Sequence, residues 1–162
     1  WRGEQCLQTW NVLNEVVVCR GQIVRPIHLE AAVDGYHLAA YIADGMIVAA
    51  PTGSTAYALA VGGPIMPPEL RNILMIPVAP HLSVDRGVIL PEEADVKIPV
   101  RTGHQAVLSA DGQTHVVMED GDSVQVQAGD HTALFVRFND PGYFYRNLMM
   151  YMGKNPVTGN TS

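Results

Sequence analysis

The sequence predicts a mainly β fold: two packed sheets in a sandwich-like arrangement, with a short helix after a Pro-Thr-Gly-Ser-Thr turn and a second helix near the carboxy terminus. Three observations predict it. Short runs rich in Val, Ile and Leu recur along the chain. Several alternate apolar with polar residues, as strands with one wet face do. Four Asp-Gly pairs, beginning at Asp34, Asp44, Asp111 and Asp120, supply tight-turn chemistry between the runs. The 162 residues, 48% of them hydrophobic, are enough for one domain with a real core, expected over residues 1–152.

In chain order, strands are expected at Leu13–Cys19, Tyr36–Ile42, Met46–Ala50, Ile73–Val78, Val96–Val100, Ala106–Ala110, His115–Met118, Val124–Gln127 and Ala133–Phe138. Val124 and Val126 share one face of their run, as do Val96, Ile98 and Val100 of theirs. Met46–Ala50 feeds the sequence Pro51-Thr52-Gly53-Ser54-Thr55, which predicts a helix over Thr55–Val61 with Ser54 or Thr55 accepting from its first free N–H groups. Such an opening suits an anionic or polar ligand, and Tyr57 adds an aromatic face. Gly62-Gly63-Pro64 ends the helix. One helical turn is expected at Pro67–Asn72. A second helix, Tyr143–Met152, carries Phe144, Leu148 and Tyr151 at helical spacing, a stripe suited to core or subunit contact. Residues 153–162 read as a flexible tail.

Composition narrows the function. A formal net charge of −6 with scattered Lys and Arg argues against nucleic acid or an acidic membrane as partner. The longest apolar runs fall far short of the roughly 20 residues of a membrane helix. Cys6 and Cys19 suggest neither a disulfide scaffold nor a zinc site. Residues 1–8 show no basic region followed by an apolar block, so a signal peptide is not expected and the protein is placed in the cytoplasm. The chain reads as excised from a longer parent.

Asn14 and Glu15 open an otherwise apolar strand, where two adjacent polar side chains are either an ordinary exposed strand end or a ligand grip. Asn offers donor and acceptor, and Glu two acceptor oxygens, the chemistry that holds vicinal hydroxyls. Asp34-Gly35 and Asp120-Gly121 are read as plain turns. Asp44 differs, because it leads directly into the strand that feeds the Pro-Thr-Gly-Ser-Thr turn.

Taken in order, Leu13-Asn14-Glu15-Val16-Val17-Val18, Ala43-Asp44-Gly45, the stretch Ala49–Pro64, Ile76-Pro77-Val78-Ala79-Pro80-His81 and Ser109-Ala110-Asp111-Gly112-Gln113 resemble the carboxy-terminal domain of NAD kinases, from about Leu13 to about Arg137. The resemblance implies phosphorylation of the adenosine 2′-hydroxyl of NAD to give NADP, with ATP or polyphosphate as donor. It implies that Asn14 and Glu15 bind the ribose, that Thr55, Ala56 and Tyr57 hold the adenine, that Asp44 contacts the nicotinamide side, reached across a subunit boundary, and that Asp111 and Gln113 lie near the dinucleotide. Dimers or tetramers are implied as well. Ala50 and Ala60 stand where relatives carry threonine and serine, and Asp85-Arg86-Gly87 departs from a Phe-Arg-Pro-type segment. The family's Gly-Gly-Asp-Gly segment, with its general base, belongs to an amino-terminal α/β domain and has no counterpart here. No catalytic residue or metal ligand is therefore assigned to this chain, Mg²⁺ or another divalent cation is expected only with the donor in the full-length enzyme, and the fragment alone should be inactive. Two alternatives stay open: a diacylglycerol- or sphingosine-type lipid kinase domain, and a non-catalytic nucleotide-binding or assembly module.

Overall fold

The apolar runs form antiparallel strands in a computed structural model that describes residues 1–22, 25–81, 85–136, 138, 140 and 142–153. The strands are β1 (Glu15–Arg20), β2 (Ile27–Val33), β3 (Tyr36–Ala43), β4 (Gly45–Ala49), β5 (Asn72–Val78), β6 (Val88–Pro91), β7 (Val96–Arg101), β8 (Ala106–Ala110), β9 (Thr114–Met118) and β10 (Ser123–Val126). They make a six-stranded sheet in the order β6-β5-β4-β1-β8-β9 and a four-stranded sheet in the order β10-β7-β2-β3. The mainly β, two-sheet expectation is met.

Periodicity explains which face goes where. In β2, Ile27, Leu29 and Ala31 are buried while His28 and Glu30 are exposed. These residues join Val96, Ile98 and Val100 of β7 and Val18, Met46, Val48 and Met75 of the larger sheet in the core. The alternate residues Val17, Ile47, Ala49, Leu74 and Ile76 form a second apolar cluster with Ala58 and Met66, on the other face of the larger sheet. Strands β4 and β5 are thus buried on both faces and read as continuous apolar runs rather than alternating ones. Each fully buried aliphatic side chain of this kind contributes about 1.5–3 kcal/mol relative to exposure.

Prolines fall where ladders have gaps. Pro77 of β5 lies beyond Met75, the last β5 residue that β6 pairs. Pro99 of β7 lies opposite a break in the β2–β7 pairing, beside the bulge at Ala31/Ala32.

Several expectations need correction. The expected strands omit β2 and β6; β2 is marked by its alternation, whereas β6 is a four-residue edge strand ending in proline. The expected helix over Thr55–Val61 is a 3₁₀ turn at Thr52–Thr55 followed by one α-helical turn, α1 (Tyr57–Ala60), because Ala56 breaks the helical backbone with φ −98° and ψ −126°. Gly62 and Gly63 close α1 as expected, their N–H groups donating to Leu59 and Ala58. Pro67–Leu70 is a hydrogen-bonded turn rather than a helix, and Asn72 already belongs to β5. Asp34-Gly35 and Asp111-Gly112 make tight turns with positive φ at both residues. Asp44-Gly45 does not; the chain passes there from the smaller sheet to the larger.

The chain divides into two compact units, Trp1–His131 and Thr132–Ser162. In the second, α2 (Tyr143–Gly153) is the predicted carboxy-terminal helix. The strand expected at Ala133–Phe138 is not formed among its described residues, with Leu134 90% and Phe138 96% exposed. A strand needs a neighbour for its backbone groups, and no described segment pairs with this one. Of the tail expected over residues 153–162, Gly153 instead ends α2, and the remainder lies outside the described residues. Among the described residues, no helix is long and apolar enough to cross a membrane.

Candidate functional site

Strand β1 is central in the larger sheet, and registry with its two neighbours builds both of its ends. Against β8, Val16 pairs with Ala110, so Glu15 meets the turn residue Asp111. Asp111 holds a left-handed φ of 49°, tolerable for Asp, and this turns its carboxylate back over the start of β1. Asp111 Oδ2 accepts from Leu13 N–H at 2.7 Å, and Oδ1 accepts from Asn14 N–H at 2.7 Å and Glu15 N–H at 3.1 Å. The Asp111 N–H returns a bond to the Glu15 carbonyl at 3.0 Å.

The Pro-Thr-Gly-Ser-Thr turn and the residue before it close on the first two of these residues, Leu13 and Asn14. Thr52 Oγ1 donates to the Leu13 carbonyl at 2.6 Å, and Ala50 N–H donates to the Asn14 carbonyl at 2.8 Å. Gly53 packs so tightly that a Cβ there would lie 2.1 Å from the Asn14 oxygen. Ser54 is fully buried and makes no cap. Its hydroxyl accepts from Met66 N–H at 2.9 Å and lies 2.6 Å from the Pro51 carbonyl, to which it donates, so it ties the turn to residue 66. The sequence-based reading of Ser54 or Thr55 as a helix cap is therefore corrected. The helix that follows is a single turn.

With their backbone held, the side chains of Asn14 and Glu15 are left over. The Asn14 amide makes no hydrogen bond among the described residues. Glu15 Oε2 is buried without a partner among them. Burial, and secondarily the Asp111 charge, push the Glu15 carboxyl above its ordinary value. A buried acceptor without a donor is costly, and a ligand hydroxyl would satisfy it.

The other end of β1 is assembled by pairing with β4, where Cys19 faces Gly45. Arg20 therefore falls beside Asp44. Its Nε and Nη2 reach the two Asp44 oxygens at 2.8 and 3.1 Å, a bidentate pair about one-third exposed. Asp44 is also held through its backbone, by Arg20 N–H and the Val78 carbonyl. Cys19, Arg20, Asp44, Tyr57 and Val78 line an open concavity of about 280 Å³. Tyr57 is 44% exposed there. Burial raises the Cys19 thiol above its usual range.

The expected site residues thus fall into three places. Asn14, Glu15, Asp111 and the exposed Gln113 gather at the start of β1; Asp44 and Tyr57 meet at its end; Thr55 and Ala56 lie exposed on the segment running between. Sequence reasoning missed Arg20, Thr52 and Gly53. The only hint of Arg20 was a charge closing an apolar run, and its partner depends on strand register. Among the described residues, no three His, Cys, Asp or Glu side chains gather as a metal site.

The family described as ATP-NAD kinase C-terminal domain matches residues 13–138. The chain is 40% identical over 149 residues to the NAD kinase of Chloroflexus aurantiacus, covering 92% of this chain and 54% of that protein. It is 36% identical over 137 residues to the NAD kinase of Dehalococcoides mccartyi, covering 85% and 48%. Among solved structures, an NAD kinase from Archaeoglobus fulgidus in complex with ATP superposes with a TM-score of 0.77 at 30% identity, covering 89% of this chain and 55% of that one. A yeast NADH kinase complexed with NADH gives 0.60 at 33% identity, covering 70% and 34%. The chain spans about half the length of the curated relatives it matches.

Proposed function

Because this chain belongs to the ATP-NAD kinase C-terminal domain family, we propose that it supplies the acceptor site of an NAD kinase, which transfers a phosphoryl group from ATP or polyphosphate to the adenosine 2′-hydroxyl of NAD. The observation that carries this reading is the start of β1, where an Asn14 amide and a Glu15 oxygen without partners among the described residues sit on a backbone held from outside by Asp111, Thr52 and Ala50. Asn14 and Glu15 grip the ribose hydroxyls. Thr55, Ala56 and Tyr57 receive the adenine, whose face needs a flat apolar partner and whose edge needs backbone groups. Asp44 serves the nicotinamide side, and Asp111 and Gln113 border the site.

Phosphoryl transfer rests on positioning and on neutralising charge at the donor. Nothing in this chain is assigned to hold a metal; a divalent cation accompanies the donor on the remaining part of the protein, together with the general base. A dimer or tetramer completes the assembly. The free thiols of Cys6 and Cys19 suit the reducing cytoplasm. The lipid-kinase alternative finds no support in the relatives described above. The test is to incubate the purified full-length protein with NAD and ATP or polyphosphate and measure NADP. NADP should form; a folded full-length protein that neither binds NAD nor forms NADP overturns the reading.

A further inference from the structure

We infer that Asp111 is a positioning residue for the acceptor, acting on NAD only through Asn14 and Glu15 and not by touching the dinucleotide. The inference rests on the NAD reading of the site and goes beyond the nearness to the dinucleotide that the resemblance implies for Asp111. Both Asp111 oxygens are engaged within the chain, together accepting three consecutive backbone N–H groups, from Leu13, Asn14 and Glu15. One carboxylate receiving three backbone N–H bonds, two of them short, has little acceptor capacity left for a ligand.

What the bonds achieve is a fixed aim. The amide between Leu13 and Asn14 is held on its N–H side by Asp111, and the next carbonyl, that of Asn14, accepts from Ala50 while Gly53 packs against it. The backbone carrying the two ligand side chains is therefore set from both sheet neighbours before any ligand arrives, and only the side-chain torsions remain to be ordered. Preorganisation of this kind lowers the cost of binding without adding a contact. Asp fits the position for two reasons that coincide: it tolerates the left-handed backbone of the β8–β9 turn, and its short side chain reaches back to strand β1.

Kinetics of full-length Asp111→Asn test this. Asn keeps the left-handed turn but loses the charge and one acceptor oxygen. The KM for NAD should rise about tenfold or more, as expected for losing charge-assisted bonds, while the KM for the phosphate donor stays within about twofold. On an Asn14→Ala background the same change should cost under about threefold, because a residue acting through Asn14 has less left to position. Parallel changes in both KM values, or full additivity with Asn14→Ala, overturn the inference. Should Asp111→Asn not fold, the wild-type protein still decides. NMR couplings through the hydrogen bonds from the amide nitrogens of residues 13–15 to the Asp111 carboxyl carbon should persist when NAD is added, and their loss on NAD addition overturns the inference. Absence of NAD binding by the folded wild type would instead overturn the function proposed above.

Discussion

At the start of β1, one carboxylate and one turn hold the backbone of Leu13–Glu15 and leave the Asn14 amide and Glu15 Oε2 without a partner among the described residues. At its end, the side chains hold each other: Arg20 clasps Asp44 with two bonds. Both ends carry a carboxylate that the family resemblance sets near the ligand, yet neither is free in the same sense. Asp111 is bound to backbone amides, which no ligand is needed to replace. Asp44 is bound by one partly exposed side chain, a guanidinium that can swing toward solvent without leaving backbone groups unpaired. A ligand group can therefore share Asp44 at modest cost, whereas displacing Asp111 would release three amides from their acceptor. The contrast separates a rigid end from an adaptable end.

The largest effects should come from the close approaches that brace each end. Gly53→Ala places a Cβ 2.1 Å from the Asn14 oxygen, and Gly45→Ala places one 2.5 Å from the Val18 oxygen. Each should cost about 2–3 kcal/mol or more, with Gly53→Ala the worse, read as loss of melting temperature. A Gly53→Ala protein melting within a degree of wild type would remove the rigid end from the comparison.

Next in size is binding. Asn14→Ala should raise the KM for NAD about tenfold or more at nearly unchanged melting temperature, since its amide has no partner among the described residues to lose. Tyr57→Ala should weaken NAD by roughly three- to tenfold, the range of an aromatic contact. Equal losses of stability and binding would mark these two side chains as structural.

Smaller again is Arg20→Met, which should lower stability by about 1 kcal/mol or less and change the KM for NAD only severalfold. An effect on NAD matching that of Asn14→Ala would show that the end at Arg20 and Asp44 is no more adaptable than the other.

The smallest concerns Glu15→Gln and has a definite pH sign. Burial, then Asp111, raises the folded-state pKa of Glu15. Its contribution therefore favours the folded protein at pH below the ordinary Glu value and is lost as pH rises through the raised folded value. Once ionised, the buried carboxylate is a burden, so at pH above the raised folded value Glu15→Gln should melt higher than wild type. The advantage should shrink as pH falls toward about 4, while NAD binding weakens. A variant less stable than wild type above that value would mean that Glu15 is held by a partner.

Much of the fold is legible in the chain, and the misses have physical causes. The strand at residues 106–110 is placed to the residue because alternation and the following Asp-Gly turn agree. The helix boundary at Thr55 fails because Ser54, a good capping residue by type, is instead drawn inward to Met66, twelve residues on. Residues 133–138 have strand composition but no described neighbour to pair with. The residue types of the site, Asn14, Glu15, Asp44, Thr55, Tyr57 and Asp111, stand out in the chain, but their grouping does not.

By itself the sequence determined the β periodicity, the Asp-Gly and Gly-Gly-Pro punctuation and the motifs that carry the family, because each depends on neighbours a few residues apart. Only the tertiary structure decided that β1 lies between β4 and β8, and hence that Glu15 meets Asp111 and Arg20 meets Asp44. Strand order and register follow from which apolar faces can be buried together across the whole chain, and a shift of one residue would send every side chain to the opposite face.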